Sequence, residues 1–150
     1  MACGEIADDG AWAQAMSAQH GTTTRRGRVL LVDDEPFIGS SLRRLLGAEN
    51  DVVAVSSGHE ALERIAAGER FDVILCDLRM PAMSGMELYD QLHAMSPEMA
   101  ERMVFFTGAA FTGDIHAFFS RVRNELLEKP FDPSALKALV RRLVDRGGSR

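Results

Sequence analysis

The stretch Arg28-Val29-Leu30-Leu31-Val32-Asp33-Asp34-Glu35 decides the fold: a short apolar run that ends on three carboxylates. The same grammar recurs downstream. Phe71-Asp72-Val73-Ile74-Leu75-Cys76 runs into Asp77, Met103-Val104-Phe105-Phe106 into Thr107, and Glu125-Leu126-Leu127-Glu128 into Lys129-Pro130. Carboxylates, one hydroxyl and one ammonium therefore stand at strand ends. If those strands are parallel neighbours in one sheet, their ends converge on a single edge, where open α/β sheets bind ligands. Carboxylates crowded there repel one another unless a divalent cation sits among them, and oxygen-only ligands suit Mg²⁺. The pattern reads as a metal-and-phosphate site.

Between these runs lie amphipathic segments, the alternation of βαβ units around a parallel sheet. After Pro36, Ile38, Leu42, Leu45 and Leu46 recur at helical spacing, and Gly47 fits the end. Asp51 to Val55 is the second strand. Ser57-Gly58 leads into a helix with Ala61, Leu62 and Ile65 inward, closed by Gly68. A third helix runs from Ser84 to Met95 with Leu88, Leu92 and Met95 as its buried stripe, and Pro97 stops it. Glu101 to Phe106 is the fourth strand. A fourth helix spans Asp114 to Arg123, with Ile115, Phe118, Phe119 and Val122 on one face. The last is capped by Asp132, opens on Pro133 and carries Leu136, Leu139, Val140, Leu143 and Val144.

At 150 residues the chain is one domain of ordinary size. A net charge of −5 argues against electrostatic DNA binding, and no apolar run reaches membrane-spanning length. The amino terminus carries Glu5, Asp8 and Asp9 where a secretion signal would be basic, so a cytoplasmic location is expected. Cys3 and Cys76 make no metal or redox spacing, and Cys76 reads as a core residue. His20, His59, His93 and His116 are scattered without ligand spacing. Residues 1–27, rich in Gly and Thr, read as a flexible leader or linker in which Ala11 to Gln19 is at most a marginal helix.

Val29 to Pro36, Asp72 to Pro81 with Ser84-Gly85, Phe105 to Gly108 and Glu128 to Phe131, in that order, resemble the receiver domain of two-component response regulators. The intervals support the resemblance: 43 residues from Asp34 to Asp77, 30 to Thr107 and 22 to Lys129. It implies a doubly wound, flavodoxin-like five-stranded parallel sheet of order 2-1-3-4-5, with the domain over residues 28–146 and a tail over 147–150. It also implies that the chain is a signalling domain and not an enzyme. Asp77 would be the phosphoacceptor in a His-to-Asp phosphorelay. Asp34, Asp77 and the backbone carbonyl of Arg79 would hold Mg²⁺, with Asp33 in an outer role and Glu35 a secondary candidate. Thr107 and Lys129 would engage the phosphoryl oxygens, and a cis bond before Pro130 would aim the lysine inward. The partners implied are a sensor histidine kinase or phosphotransfer protein, and a downstream protein or second copy meeting the fourth helix, fifth strand and fifth helix.

Two features depart from the family pattern or sharpen it. Leu126 stands three residues before Lys129, where most receivers carry Tyr or Phe, so switching through an inward-swinging ring is in question. An interaction module that keeps the fold but acts independently of phosphorylation is the alternative. Thr107 to Thr112 followed by Leu127 to Phe131 resembles the receivers of hybrid sensor kinases or single-domain regulators. Arg79 is expected to project over the pocket mouth; Ile115, Phe118, Phe119 and Val122 read first as core packing, the alternative being that one Phe of this segment or Phe111 stays exposed as a partner contact.

Overall fold

The computed structural model describes residues 26–108 and 112–148. Five strands, β1 (Gly27–Val32), β2 (Asn50–Val55), β3 (Val73–Asp77), β4 (Met103–Thr107) and β5 (Glu125–Glu128), form one all-parallel sheet in the order β2-β1-β3-β4-β5. Five helices connect and follow them: α1 (Pro36–Leu46), α2 (Gly58–Ala66), α3 (Gly85–Met95), α4 (Gly113–Arg121) and α5 (Pro133–Gly148). A single helical turn, Pro97–Ala100, lies between α3 and β4. This is the doubly wound sheet expected from the sequence. Residues 1–25, including the short Ala11 to Gln19 helix, and Phe111 lie outside the described residues.

The period of two along each strand divides the core. Leu30, Val32, Ile74, Cys76 and Phe105 face Ala61, Leu88, Leu92, Ile115 and Phe118 on one side of the sheet. Val29, Leu31, Val73, Leu75, Val104 and Phe106 face Leu42, Leu46, Leu136, Val140 and Val144 on the other. Both faces are covered by helices, so the central strands β3 and β4 are buried along their whole length.

Several helix boundaries differ from the sequence reading for local reasons. Met95 is 47% exposed and Tyr89 takes its place, giving α3 a buried stripe of Gly85, Leu88, Tyr89 and Leu92. The turn after it delivers Met99 and Ala100 to the core. Ser96 ends α3, and its hydroxyl accepts from the Met99 N–H to start that turn. Helix α4 stops at Arg121, and Val122 is extended but still packs against the α2–α3–α4 core. Ile115 and Phe118 are buried, while half-buried Phe119 lies edge-on to Phe105 with ring centroids 5.6 Å apart. The most exposed phenylalanine described is Phe37 on α1, at 77%.

Gly85 fixes how α3 meets β3. Its N–H donates to the Leu78 carbonyl at 2.9 Å, and a Cβ there would sit 2.6 Å from the Asp77 carbonyl oxygen. At Gly113, which opens α4 in the same first-turn position, an added Cβ meets nothing within 4 Å. The same substitution should therefore act oppositely at the two sites. In urea unfolding, Gly85→Ala should lose about 1–3 kcal/mol through overpacking, whereas Gly113→Ala should gain about 0.4–1 kcal/mol by restricting the unfolded chain. Equal effects would show that α3 is not held by this close approach.

Candidate functional site

Strand register brings the polar residues together. Val32 pairs with Cys76, so Asp33 and Asp77 follow side by side at the carboxyl ends of β1 and β3. Thr107 ends β4 opposite Glu128, and the Lys129 N–H donates to the Thr107 carbonyl at 2.8 Å, extending the ladder by one residue. The Lys129–Pro130 peptide is cis, as the resemblance implied.

Asp77 is held at both carboxylate oxygens. Oδ1 accepts the Arg79 backbone N–H at 3.1 Å, and Oδ2 accepts from Lys129 Nζ at 3.2 Å. The ammonium also lies 3.9 Å from Asp33 Oδ2 and 5.5 Å from the centroid of the Phe106 ring. Asp33 Oδ1 accepts the Glu35 backbone N–H at 2.9 Å, while its Oδ2 is buried without a hydrogen-bond partner. Ligand atoms of Asp33, Asp34 and Asp77 all lie within 4.8 Å of one another. Burial is the main cause that pushes the Asp33 carboxyl above its ordinary range, and the negative charges of Asp77 and Asp34 push it the same way.

The orphaned Asp33 oxygen and the all-oxygen donor set are what a hard divalent cation would satisfy, so the residues present fit Mg²⁺. Among the described residues, Asp33, Asp34 and Asp77 form the one group of three or more acidic, His or Cys side chains close enough for this. Cys76 takes no part. It is fully buried, its Sγ donates to the Asp77 carbonyl at 3.2 Å, and burial foremost pushes its thiol well above the ordinary value.

Thr107 is 2% exposed, at the strand end where the sequence placed it. Glu35 precedes α1 as its N-cap residue, without a side-chain cap bond. The Arg79 guanidinium reaches towards α4: Nη2 lies 3.4 Å from Thr112 Oγ1, and Arg79 lines a cleft of about 630 Å³ between the β3–α3 loop and the start of α4. Sequence reasoning missed that link because the two residues are 33 apart with no shared motif. It also missed Phe106, which reads as an ordinary strand residue and stands beneath the lysine.

Residues 29–141 match the family model described as the response regulator receiver domain, and the chain belongs to that family. Such domains are signalling domains that partner with histidine kinases and downstream effectors, and they generally bind Mg²⁺ at an acidic pocket. The chain is 34% identical over 118 residues to the transcriptional regulatory protein BtsR of Escherichia coli strain K12, covering 77% of this chain and 47% of that protein. It is 32% identical over 121 residues to the C4-dicarboxylate transport transcriptional regulatory protein DctD of Pseudomonas aeruginosa, covering 79% of this chain and 25% of that one. It thus spans about half or less of these relatives' length. A CheY-like receiver domain protein from Methanospirillum hungatei superposes with a TM-score of 0.72 at 27% identity, covering 83% of this chain and 98% of that one. The chemotaxis protein CheY4 of Vibrio cholerae does so at 0.68 and 29%, with 79% and 98% covered. Among the described residues no helix is long and apolar enough to cross a membrane.

The raised Asp33 carboxyl sets a direction for pH. Its folded pKa lies above the unfolded value near 3.8, so ionised Asp33 costs stability that is not lost below that value. The cost sets in as pH rises from there through the folded value. Without added metal, Asp33→Asn should be more stable than the parent at pH 7, with the gain shrinking towards zero in acid. Thermal unfolding across pH 3–7 checks this, and a gain independent of pH would contradict it.

Proposed function

We propose that the chain is a phosphoacceptor receiver in a His-to-Asp phosphorelay, acting in the cytoplasm; the receiver begins at residue 28, and since α5 continues to Gly148 it extends past residue 146, where the sequence reading ended it. The observation that carries the reading is the Asp77 carboxylate, held between the Arg79 N–H and the Lys129 ammonium beside an unsatisfied Asp33 oxygen. An Asp77 oxygen attacks phosphorus of a phosphohistidine on the partner kinase or phosphotransfer protein. The P–N bond breaks, its electron pair returns to the imidazole nitrogen, and that nitrogen takes up a proton from solvent. An acyl phosphate is left on Asp77.

Two anions have to meet in this step, and the chain supplies the means. Lys129 releases its contact with the carboxylate and neutralises a phosphoryl oxygen as a point charge. The Phe106 ring keeps the ammonium over the pocket rather than in solvent. The Thr107 hydroxyl donates to another phosphoryl oxygen. Asp34, Asp77 and the Arg79 carbonyl would hold Mg²⁺ with Asp33 behind them; when bound, the ion screens nucleophile and phosphoryl group from each other. Hydrolysis returns the site: water attacks phosphorus, the bond to Asp77 breaks, and inorganic phosphate leaves.

The charge brought to Asp77 biases two packings of the α4–β5–α5 side, the face offered to a downstream protein. Leu126 favours a second reading, a module that binds regardless of phosphorylation: it packs partly buried on the Phe105 cluster and has no polar tip to expose. Intact mass after incubation with Mg²⁺ and acetyl phosphate separates the two. The protein should gain one acid-labile phosphoryl group, Asp77→Asn should gain none, and Lys129→Ala should label about a hundredfold more slowly. Undiminished labelling of Asp77→Asn, or none of the parent, would favour the interaction module.

A further inference from the structure

The contact that the site does not use is the one made by the Arg79 side chain. Its backbone N–H is committed to Asp77 Oδ1, which places the root of the side chain against the phosphorylation site. Its guanidinium is engaged at the start of α4, Nη2 donating to Thr112 Oγ1 at 3.4 Å. The Thr112 hydroxyl in turn donates to the carboxylate of Asp114 in a short contact. Donation to the carboxylate, with the guanidinium helping, holds the Asp114 carboxyl below its ordinary range. The chain therefore runs in one direction, from guanidinium through hydroxyl to carboxylate, and each member polarises the next. Asp114 lies in the first turn of α4, where a negative charge is also favoured by the helix.

We propose that Thr112 and Asp114 are positioning residues that park the Arg79 guanidinium, and that a phosphoryl group on Asp77 competes with them for it. This rests on Asp77 being the phosphoacceptor. In the unmodified protein Lys129 already serves Asp77, while Arg79 donates to Thr112, whose hydroxyl is bonded to Asp114. Phosphorylation adds roughly −1.5 to −2 charge within two residues of Arg79, together with oxygens that a guanidinium recognises in a fork. The arginine then has two alternative partners and one side chain. When it swings to the phosphoryl group it stands between that group and solvent, and Thr112 and the first turn of α4 lose their tie to the β3–α3 loop. Phosphoryl lifetime and the freedom of α4 are set by one competition.

The test is the rate of acyl phosphate hydrolysis after labelling with Mg²⁺ and acetyl phosphate, for the parent, Arg79→Ala, Thr112→Val, Asp114→Asn and the double variant Arg79→Ala with Thr112→Val. Arg79→Ala keeps the backbone that contacts Asp77. Competition requires that Thr112→Val and Asp114→Asn shift the lifetime one way and Arg79→Ala the other, each on the order of threefold, the size an exposed charged contact supports. It also requires that Thr112→Val change nothing once Arg79 is Ala. Amide exchange at Thr112 to His116 should rise on phosphorylation in the parent and be raised beforehand in Arg79→Ala. Single variants that shift the lifetime in the same direction, a Thr112→Val effect that persists without the arginine, or unchanged lifetimes in every variant would overturn the proposal. A parent that takes no label at all would instead overturn the phosphoacceptor reading.

Discussion

Like charges forced together at the sheet edge are the constraint around which this molecule is arranged. β1 and β3 are central, buried strands in direct register, so the residues that follow them, Asp33 and Asp77, are set side by side wherever the sheet forms. Nothing local can separate them without breaking the ladder. One carboxylate is accommodated by a backbone N–H and an ammonium. The other keeps an oxygen out of water with no hydrogen-bond partner and has its carboxyl pushed up by burial and by the charges of Asp77 and Asp34. A fold that places anions where they repel gives up some stability at that edge, and a bound cation would relieve it.

The rest of the architecture serves this edge. Gly85 lets α3 start against the backbone of Asp77 and Leu78, which fixes the loop that carries Arg79. The one-residue extension of the β4–β5 ladder sets Lys129 beside Thr107 and above Phe106. Behind Thr107, the rings of Phe105, Phe118, Phe119 and Tyr89 meet edge to face, with centroids 5.0–5.4 Å apart for the Phe118–Phe119, Phe105–Phe118 and Tyr89–Phe118 pairs. Leu126 adds an aliphatic side chain to that cluster from β5. Position 126 therefore contributes no ring to this packed aromatic layer.

Much of this was legible in the chain because strand ends carry their chemistry in sequence. Apolar runs that stop on Asp33-Asp34, Asp77, Thr107 and Lys129 announce both the parallel sheet and the edge where its ligands meet. What was not legible depended on contacts across sequence distance. Met95 lies on the predicted stripe of α3, yet it is exposed, while Met99 and Ala100 of the Pro97 turn are buried. The reach of Arg79 to Thr112 and the seat of Lys129 on Phe106 are tertiary placements that no spacing encodes. Val122 shows the same limit at a boundary: it is apolar and packed, as its spacing requires, but from an extended segment rather than a helix.

The three-carboxylate edge should take a divalent cation. Unfolding free energy at pH 7, measured by urea titration at a series of free Mg²⁺ concentrations, reads this directly. Above the dissociation constant, stability should climb by about 1.4 kcal/mol for each tenfold increase in Mg²⁺, the slope for one ion bound per folded chain. In Asp34→Ala, which removes a proposed direct ligand, the climb should disappear. A stability that stays flat through the millimolar range in the parent would contradict the reading of this edge as a metal-and-phosphoryl site.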